Sequence, residues 1–251
     1  MIVRKTEEQI ESMARAGELH ARCLKMLASK IRPGVTTAEL DEAAERFIVS
    51  QGGTPTFKGY RGFPASICAS PNSLVVHGIP GPQVLERGDI ISIDLGVTLD
   101  GWIADGAGTF PVGETAEETM ALLEGTHEAL RKAAAKMVPG NRVSDISNAV
   151  QTEVEAAGFS VIRSLVGHGI GQAMHEEPQI PNYGPPGRGP EIEAGMVFAI
   201  EPMVNAGGPG VYMDSDGWSV FSEDGSMAAH FEYTVAATAE GPRILTPWDV
   251  E

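Results

Sequence analysis

Residues 90–105 read IISIDLGVTLDGWIAD and set two aspartates, Asp94 and Asp105, on either side of an Asp100-Gly101 dipeptide. Asp-Gly between alternating apolar runs is a signal for a two-residue hairpin turn. A hairpin closed there puts Leu99 opposite Trp102 and Gly96 opposite Asp105, with Asp94 diagonal to Asp105 on the same face. The other face of the first strand carries Ile91, Ile93, Leu95, Val97 and Leu99, which is a core face. Two carboxylates side by side against a core, with no basic residue in the hairpin, either raise one pKa strongly or share a cation.

Further carboxylates stand in comparably apolar company. Glu201 follows Val197, Phe198, Ala199 and Ile200, and Glu232 lies within the strand-like stretch MAAHFEYTVAA. A lone carboxylate in such a run is costly to bury. His168 sits in the glycine-flanked VGHGI, with His175 a few residues on in MHEEP. Taken singly, each has an ordinary reading: a solvated edge aspartate, a strand glutamate facing water, a packed histidine. Taken together, four carboxylates and one imidazole suit two divalent ions bridged by shared carboxylates. Other chemistries fit less well. The Gly-x-Gly-x-Gly of 167–171 lacks the strand-to-helix context of a phosphate loop. His127-Glu128 lacks the second histidine of a zinc-protease helix, and there is no Gly-x-Ser-x-Gly elbow.

The elements around these residues follow from periodicity. Helical spacing over 6–31 buries Ile10, Met13, Leu24, Met26 and Leu27. Thr36 or Thr37 caps a second helix that stops at Gly52-Gly53, and 115–138 and 143–158 read as two more helices. Between them lie the loop FKGYRGFP, the strand-like ASICAS and SLVVHGI, and the hairpin; beyond 158 the chain is strands and loops. A weak internal repeat runs through this order. Lys30, Pro33, Gly34 and Gly52 recur as Lys136, Pro139, Gly140 and Gly158; VVHGI is echoed by VGHGI, and GDIISID by GMVFAIE, which lays Glu201 over Asp94. The order predicts two related α/β halves, roughly 1–110 and 111–251, within a single catalytic domain.

The bulk numbers narrow the class. The 251 residues can bury a sizeable core, and 42% hydrophobic with 21% charged residues is an ordinary globular composition. A net charge of −16 argues against a nucleic-acid or anionic-membrane surface. Cys23 and Cys68 are too few for a disulfide framework, and no apolar run approaches a membrane span. A cytoplasmic, soluble monomer is the expectation.

The ordered set VVHGIP, IDLG, DGWIADGAGTF, GHGIG, HEEP, AIEPM and FEYT resembles the type I methionine aminopeptidases, metallopeptidases of the pita-bread fold. The resemblance runs over nearly the whole chain and implies an α+β architecture of two pseudo-symmetric halves around a curved antiparallel sheet. It implies that Asp94 chelates one divalent metal and Asp105 bridges two, that His168 and Glu201 bind the second, and that Glu232 bridges. His77 and His175 resemble the two non-ligand histidines that attend the scissile amide. Glu201 also moves protons for a metal-bridged hydroxide. Tyr60, Phe63, Cys68, Met174 and Trp218 resemble the methionine pocket. The implied cofactors are two ions drawn from Co, Mn, Fe or Zn; the implied partners are N-termini of nascent polypeptides, near the ribosome, with initiator methionine removed best before a small second residue. The sequence departs from frequent family choices at Met174, where Phe is common, at Phe57, and at Gly106-Ala107. The rivals are an Xaa-Pro aminopeptidase or prolidase with the same five ligands, a non-catalytic pita-bread module that binds peptides, and a di-iron redox protein; carboxylates on strands rather than helices disfavour the last.

Overall fold

The computed structural model describes residues 2–249. Four long helices form two pairs: α1 (Glu7–Ala28) with α2 (Thr37–Ser50), and α3 (Glu117–Ala134) with α4 (Val143–Ala156). Thr6 and Thr36 each accept a hydrogen bond from the N3 backbone while Gln9 and Glu39 reach back to the cap, two capping boxes that satisfy helix-end donors. Of the residues assigned to the inner face of α1, Ile10, Met13, Leu24 and Leu27 are buried, while Met26 is half-buried.

The hairpin forms in the expected register. Ile90–Leu99 pairs antiparallel with Trp102–Pro111, with Leu99 opposite Trp102 and Gly96 opposite Asp105. Asp100 and Gly101 both take positive φ, 50° and 79°, the combination a type I′ turn requires. The strand Ile90–Leu99 also pairs with Cys68–Pro71, which sets Cys68 opposite Asp94. A second sheet orders Gly241–Ile244, Tyr233–Thr238, Val197–Ile200, Val166–Gly169 and Glu176–Pro181. A three-stranded unit of Ala228–His230, Met203–Asn205 and Ser160–Val161 and another of Val211–Met213, Val220–Ser222 and Leu74–Val76 complete the strands.

The two halves repeat local geometry as well as sequence. Gly34 N–H donates to Leu85 O at 2.8 Å, and Gly140 N–H donates to Ile192 O at 2.9 Å. Isolated bridges pair Thr36 with Val84 and Arg142 with Glu191. Gly34 and Gly140 have φ of 90° and 94°, which only glycine adopts without strain. One contiguous apolar core carries Leu24, Ile48, Ile91 and Ile93 from the first half and Leu130, Val150, Phe198 and Tyr233 from the second.

The halves meet along a seam that is not a regular ladder. Thr234 Oγ1 accepts from Asp105 N–H at 3.0 Å and donates to Asp105 O at 2.8 Å. Thr109 Oγ1 does the same for His230, at 2.8 Å in both directions. Between them Glu232 N–H donates to Ala107 O at 2.9 Å. Asp105, Ala107 and Thr109 are thus set opposite Thr234, Glu232 and His230, with threonine hydroxyls standing in for ladder partners. The continuous strand expected around Glu232 is instead interrupted: Ala228–His230 and Tyr233–Thr238 belong to different sheets, and Phe231 and Glu232 span the corner. Phe231 N–H goes to Pro202 O and Glu232 N–H crosses the seam, so neither is free for a single ladder.

Candidate metal centre

Asp94 and Asp105 project from the hairpin, His168 from Val166–Gly169, Glu201 from the end of Val197–Ile200, and Glu232 from the corner. All five line one cavity of about 170 Å³ together with His77, His175, Tyr60, Phe63, Cys68, Met174 and Trp218, every site residue expected from sequence. Asp94, Asp105, His168 and Glu232 are buried, and Glu201 is nearly so. His168 Nε2 lies 3.9 Å from Asp105 Oδ2 and 3.5 Å from Glu201 Oε1. Ligand atoms of Asp105, His168 and Glu232 all fall within 4.8 Å of one another.

No lysine or arginine pairs with these carboxylates among the described residues. Burial pushes Asp94 up to about 8. Burial first, and then repulsion among the group, pushes Asp105, Glu201 and Glu232 well above the usual carboxylate range. Asp94 Oδ1 and Glu232 Oε1 are buried with no hydrogen-bond partner. Buried polar atoms are ordinarily paired, so two orphaned carboxylate oxygens in one cluster fit a divalent cation. The donor set, oxygen-rich with one imidazole, suits Mn, Fe, Co or Zn. Burial holds His168 down to about 4, with His175 adding repulsion, so its lone pair is free at neutral pH.

The cavity walls are apolar and aromatic. Phe63 packs edge-to-face on Trp218 with centroids 5.1 Å apart, and Phe57 packs edge-on against Phe63 at 6.5 Å. Cys68 is buried opposite Asp94, and its thiol is held protonated chiefly by burial. At the mouth, the Tyr60 hydroxyl lies 2.9 Å from His175 Nδ1 and the two rings stack. His77 has a φ of 60° and turns its ring edge-on to Trp218.

Three residues near the site were not read from the sequence. Arg61, with φ 50° inside the turn Tyr60–Gly62, lines the mouth and lays its guanidinium over the Tyr60 ring. His20 of α1 is fully buried and donates from Nε2 to Gly106 O at 2.9 Å, directly behind Asp105. A Cβ on Gly106 would lie 2.7 Å from His20 Cε1, which explains the glycine there. His230 is buried with Nε2 equidistant, 3.9 Å, from Glu201 and Glu232. A signal for His230 was present, since it stands two residues before Glu232 in an apolar run, but so was the ordinary reading of a core histidine.

Fold and site together define a metallopeptidase: residues 11–239 match the model of Metallopeptidase family M24, and the chain belongs to that family. Within it, the chain is 52% identical to methionine aminopeptidase of Clostridium perfringens over 98% of its own length and 99% of that protein's. It is likewise 52% identical to methionine aminopeptidase 1 of Bacillus subtilis, with the same coverage. The crystal structure of methionine aminopeptidase from Rickettsia prowazekii superposes with a TM-score of 0.97 at 40% identity, covering 98% of this chain and all of that one. Prolidase from Pyrococcus furiosus shares the fold alone, at 23% identity and a TM-score of 0.76, and the chain spans 65% of its length.

Proposed function

We propose that this chain is a methionine aminopeptidase that removes the initiator methionine from polypeptide N-termini, preferentially when the second residue is small. The observation that carries the reading is the convergence of Asp94, Asp105, His168, Glu201 and Glu232 on one cavity with aromatic and apolar walls, in a chain whose full-length relatives carry that name. In this reading Asp94, Asp105, His168, Glu201 and Glu232 would hold a divalent pair, Asp105 and Glu232 being able to serve both ions. When bound, the divalent pair supplies Lewis acidity and a water acidic enough to attack a carbonyl near neutral pH.

The remaining work falls to side chains. Because the five ligands line the same cavity as its apolar walls, a peptide would enter with its free α-amine and first residue inside. Glu201 accepts the attacking water's proton and returns it to the leaving amine. Tyr60 donating to His175 Nδ1 leaves the proton on Nε2, which hydrogen-bonds the developing oxyanion; burial and the nearby Arg61 hold His175 below its ordinary pKa and so neutral. His77, standing against Trp218 in the same cavity, would hydrogen-bond the scissile amide. Phe63, Cys68, Met174, Trp218 and the Tyr60 ring enclose the methionine side chain. A void of roughly 150 Å³ accepts a benzene, so this cavity has room for one such side chain, and aromatic edges suit a thioether.

Soluble N-termini in the cytoplasm, near the ribosome, fit a chain in which no described helix is long and apolar enough to cross a membrane. The test is release of methionine from a Met-Ala-Ser peptide by chelator-stripped protein with and without Mn²⁺ or Co²⁺, beside Asp105→Asn and a dipeptide ending in proline. Metal-dependent release that vanishes in D105N is expected. Cleavage before proline alone would move the chain to the prolidase activity, and silence on both with no metal bound would refute the reading.

A further inference from the structure

The five proposed ligands leave one imidazole of the cluster without a task. His230 is buried, and its Nε2 has no hydrogen-bond partner. The same atom is 3.9 Å from Glu201 Oε2 and 3.9 Å from Glu232 Oε2. Glu201 thus has its two oxygens facing different rings, Oε1 toward His168 and Oε2 toward His230.

We propose that His230 is a positioning residue of the metal centre, its Nε2–H standing between Glu201 and Glu232 and holding both carboxylates in place for the ions. The inference rests on the metal-centre reading above. A neutral imidazole carries one N–H and one lone pair. With the lone pair on Nε2, the ring would aim it at two carboxylate oxygens; with the proton there, the same geometry is attractive. With both glutamates ionised, as metal ligands must be, two carboxylate oxygens at equal distance select the Nε2–H tautomer. Outer-shell donors of this kind fix ligand orientation and carry a large share of metal affinity.

The backbone places this ring with unusual redundancy. His230 lies two residues before Glu232 on one side, and on the other pairs across the sheet with Met203, two residues after Glu201. The equal 3.9 Å approaches of Nε2 to both carboxylates show that His230 faces the side the glutamates share. The Thr109 hydroxyl accepts His230 N–H and donates to His230 O, and Ser92 Oγ lies 2.9 Å from the same hydroxyl. A histidine with no bearing on the site would not need a grip from the opposite half on both of its backbone groups.

Calorimetric titration of chelator-stripped protein with Mn²⁺, and the visible absorption of the Co²⁺ form, test this without any turnover. His230→Leu removes the donor, His230→Gln carries an amide N–H to the Nε2 position, and His230→Asn carries it only as far as Nδ1. Expected are a roughly 10–100-fold loss of Mn²⁺ affinity in H230L and H230N, most of it restored in H230Q, and a Co²⁺ spectrum shared by wild type and H230Q. Should H230L fail to fold, the contrast between H230N and H230Q decides alone. Wild-type affinity in H230L or H230N would overturn the inference. So would H230Q as impaired as H230N, and a Co²⁺ spectrum altered in H230Q would reassign His230 as a direct ligand. Wild-type protein that binds no metal would refute the metal centre itself.

Discussion

Stripping the metal makes a specific prediction about stability and pH. In the metal-free protein Asp94 is pushed up to about 8, and Asp105, Glu201 and Glu232 are pushed up as well, all by burial first. A carboxyl whose folded pKa exceeds its unfolded one binds more protons folded than unfolded, so stability falls as pH rises between the two values. Three buried histidines act in the opposite direction: His20 and His168 are held down to about 4 and His230 to about 3. Their contribution is present above the unfolded histidine pKa of about 6.5 and is lost as pH falls toward the folded values. Below pH 6.5 the two groups of residues oppose each other and the slope is shallow. Above pH 6.5 the histidines no longer contribute, and only the carboxyls remain. Asp94 alone then costs up to about 1.4 kcal/mol per pH unit, a slope that halves as pH reaches its own value of about 8, for a total of roughly 1.5 kcal/mol between pH 6.5 and 8; every further carboxyl that keeps its proton adds to this. Urea unfolding of chelator-treated protein at pH 6.5, 7.2 and 8.0 measures it. Mn²⁺ held at a hundredfold excess over its dissociation constant at pH 6.5 should add about 2.7 kcal/mol there and more at higher pH, where the ion no longer competes with protons, which abolishes the fall; Asp94→Asn should reduce the metal-free slope by one proton's worth. Metal-free stability that is flat or rising from pH 6.5 to 8 would refute the reasoning.

Three other perturbations have clear directions. Gly106→Ala drives a methyl into the His20 ring and toward Glu232 O, 3.3 Å from the new Cβ; a loss of about 1–3 kcal/mol is expected from overpacking, read as a lower urea midpoint with unchanged m-value. Lys5 donates to Glu176 at 2.6 Å with its own side chain almost wholly buried. Lys5→Met therefore leaves a shielded carboxylate beside His175 and should cost about 3 kcal/mol, much of it recovered in the double variant with Glu176→Gln when thermal midpoints are compared. Thr234→Val keeps the shape but strands the buried N–H and C=O of Asp105, at about 1–3 kcal/mol for each unsatisfied group. Thr234→Ser should unfold close to wild type in the same denaturant series, and equal losses in both variants would show that the methyl, not the hydroxyl, matters.

The hairpin was legible because its information is local: Asp100-Gly101 fixes the turn, period-two alternation fixes the faces, and the register of Asp94 against Asp105 follows. The helices and their caps were legible for the same reason. The repeat of Gly34 and Gly52 in Gly140 and Gly158 was legible because positive φ leaves glycine as its trace. Glu232 was assigned to the right cluster but to the wrong local structure, since MAAHFEYTVAA has an unbroken strand pattern and only the seam, a long-range feature, divides it. His20 and His230 were missed because a histidine in an apolar helix or strand reads as ordinary core; what distinguishes them is which carbonyl or carboxylate lies opposite, 86 residues away for His20 and Gly106. Arg61 was missed because exposed arginines in glycine-rich loops have no pattern that separates a cavity mouth from any other surface.

Why the chain tolerates four buried carboxylates follows from how the backbone behind them is held. Each half extends a threonine to the other: Thr109 grips His230, and Thr234 grips Asp105. His20 holds Gly106 O from α1, and the indole N–H of Trp248 reaches Glu232 O at 3.3 Å from the chain's last turn. Thr246 Oγ1 receives Thr234 N–H, so the tail also braces the threonine that braces Asp105. None of these bonds involves a carboxylate side chain, so none depends on a metal. Repulsion among the acids is therefore opposed by neutral hydrogen bonds and core packing that persist when the cation is absent. The metal-free protein should stay folded, with the acids partly protonated, and metal binding then neutralises charge at a site already in position instead of ordering the chain around it. That division of labour lets a marginally stable domain carry a costly charge cluster, and it places the chain's sensitivity to mutation at the seam whose backbone carries Asp105 and Glu232.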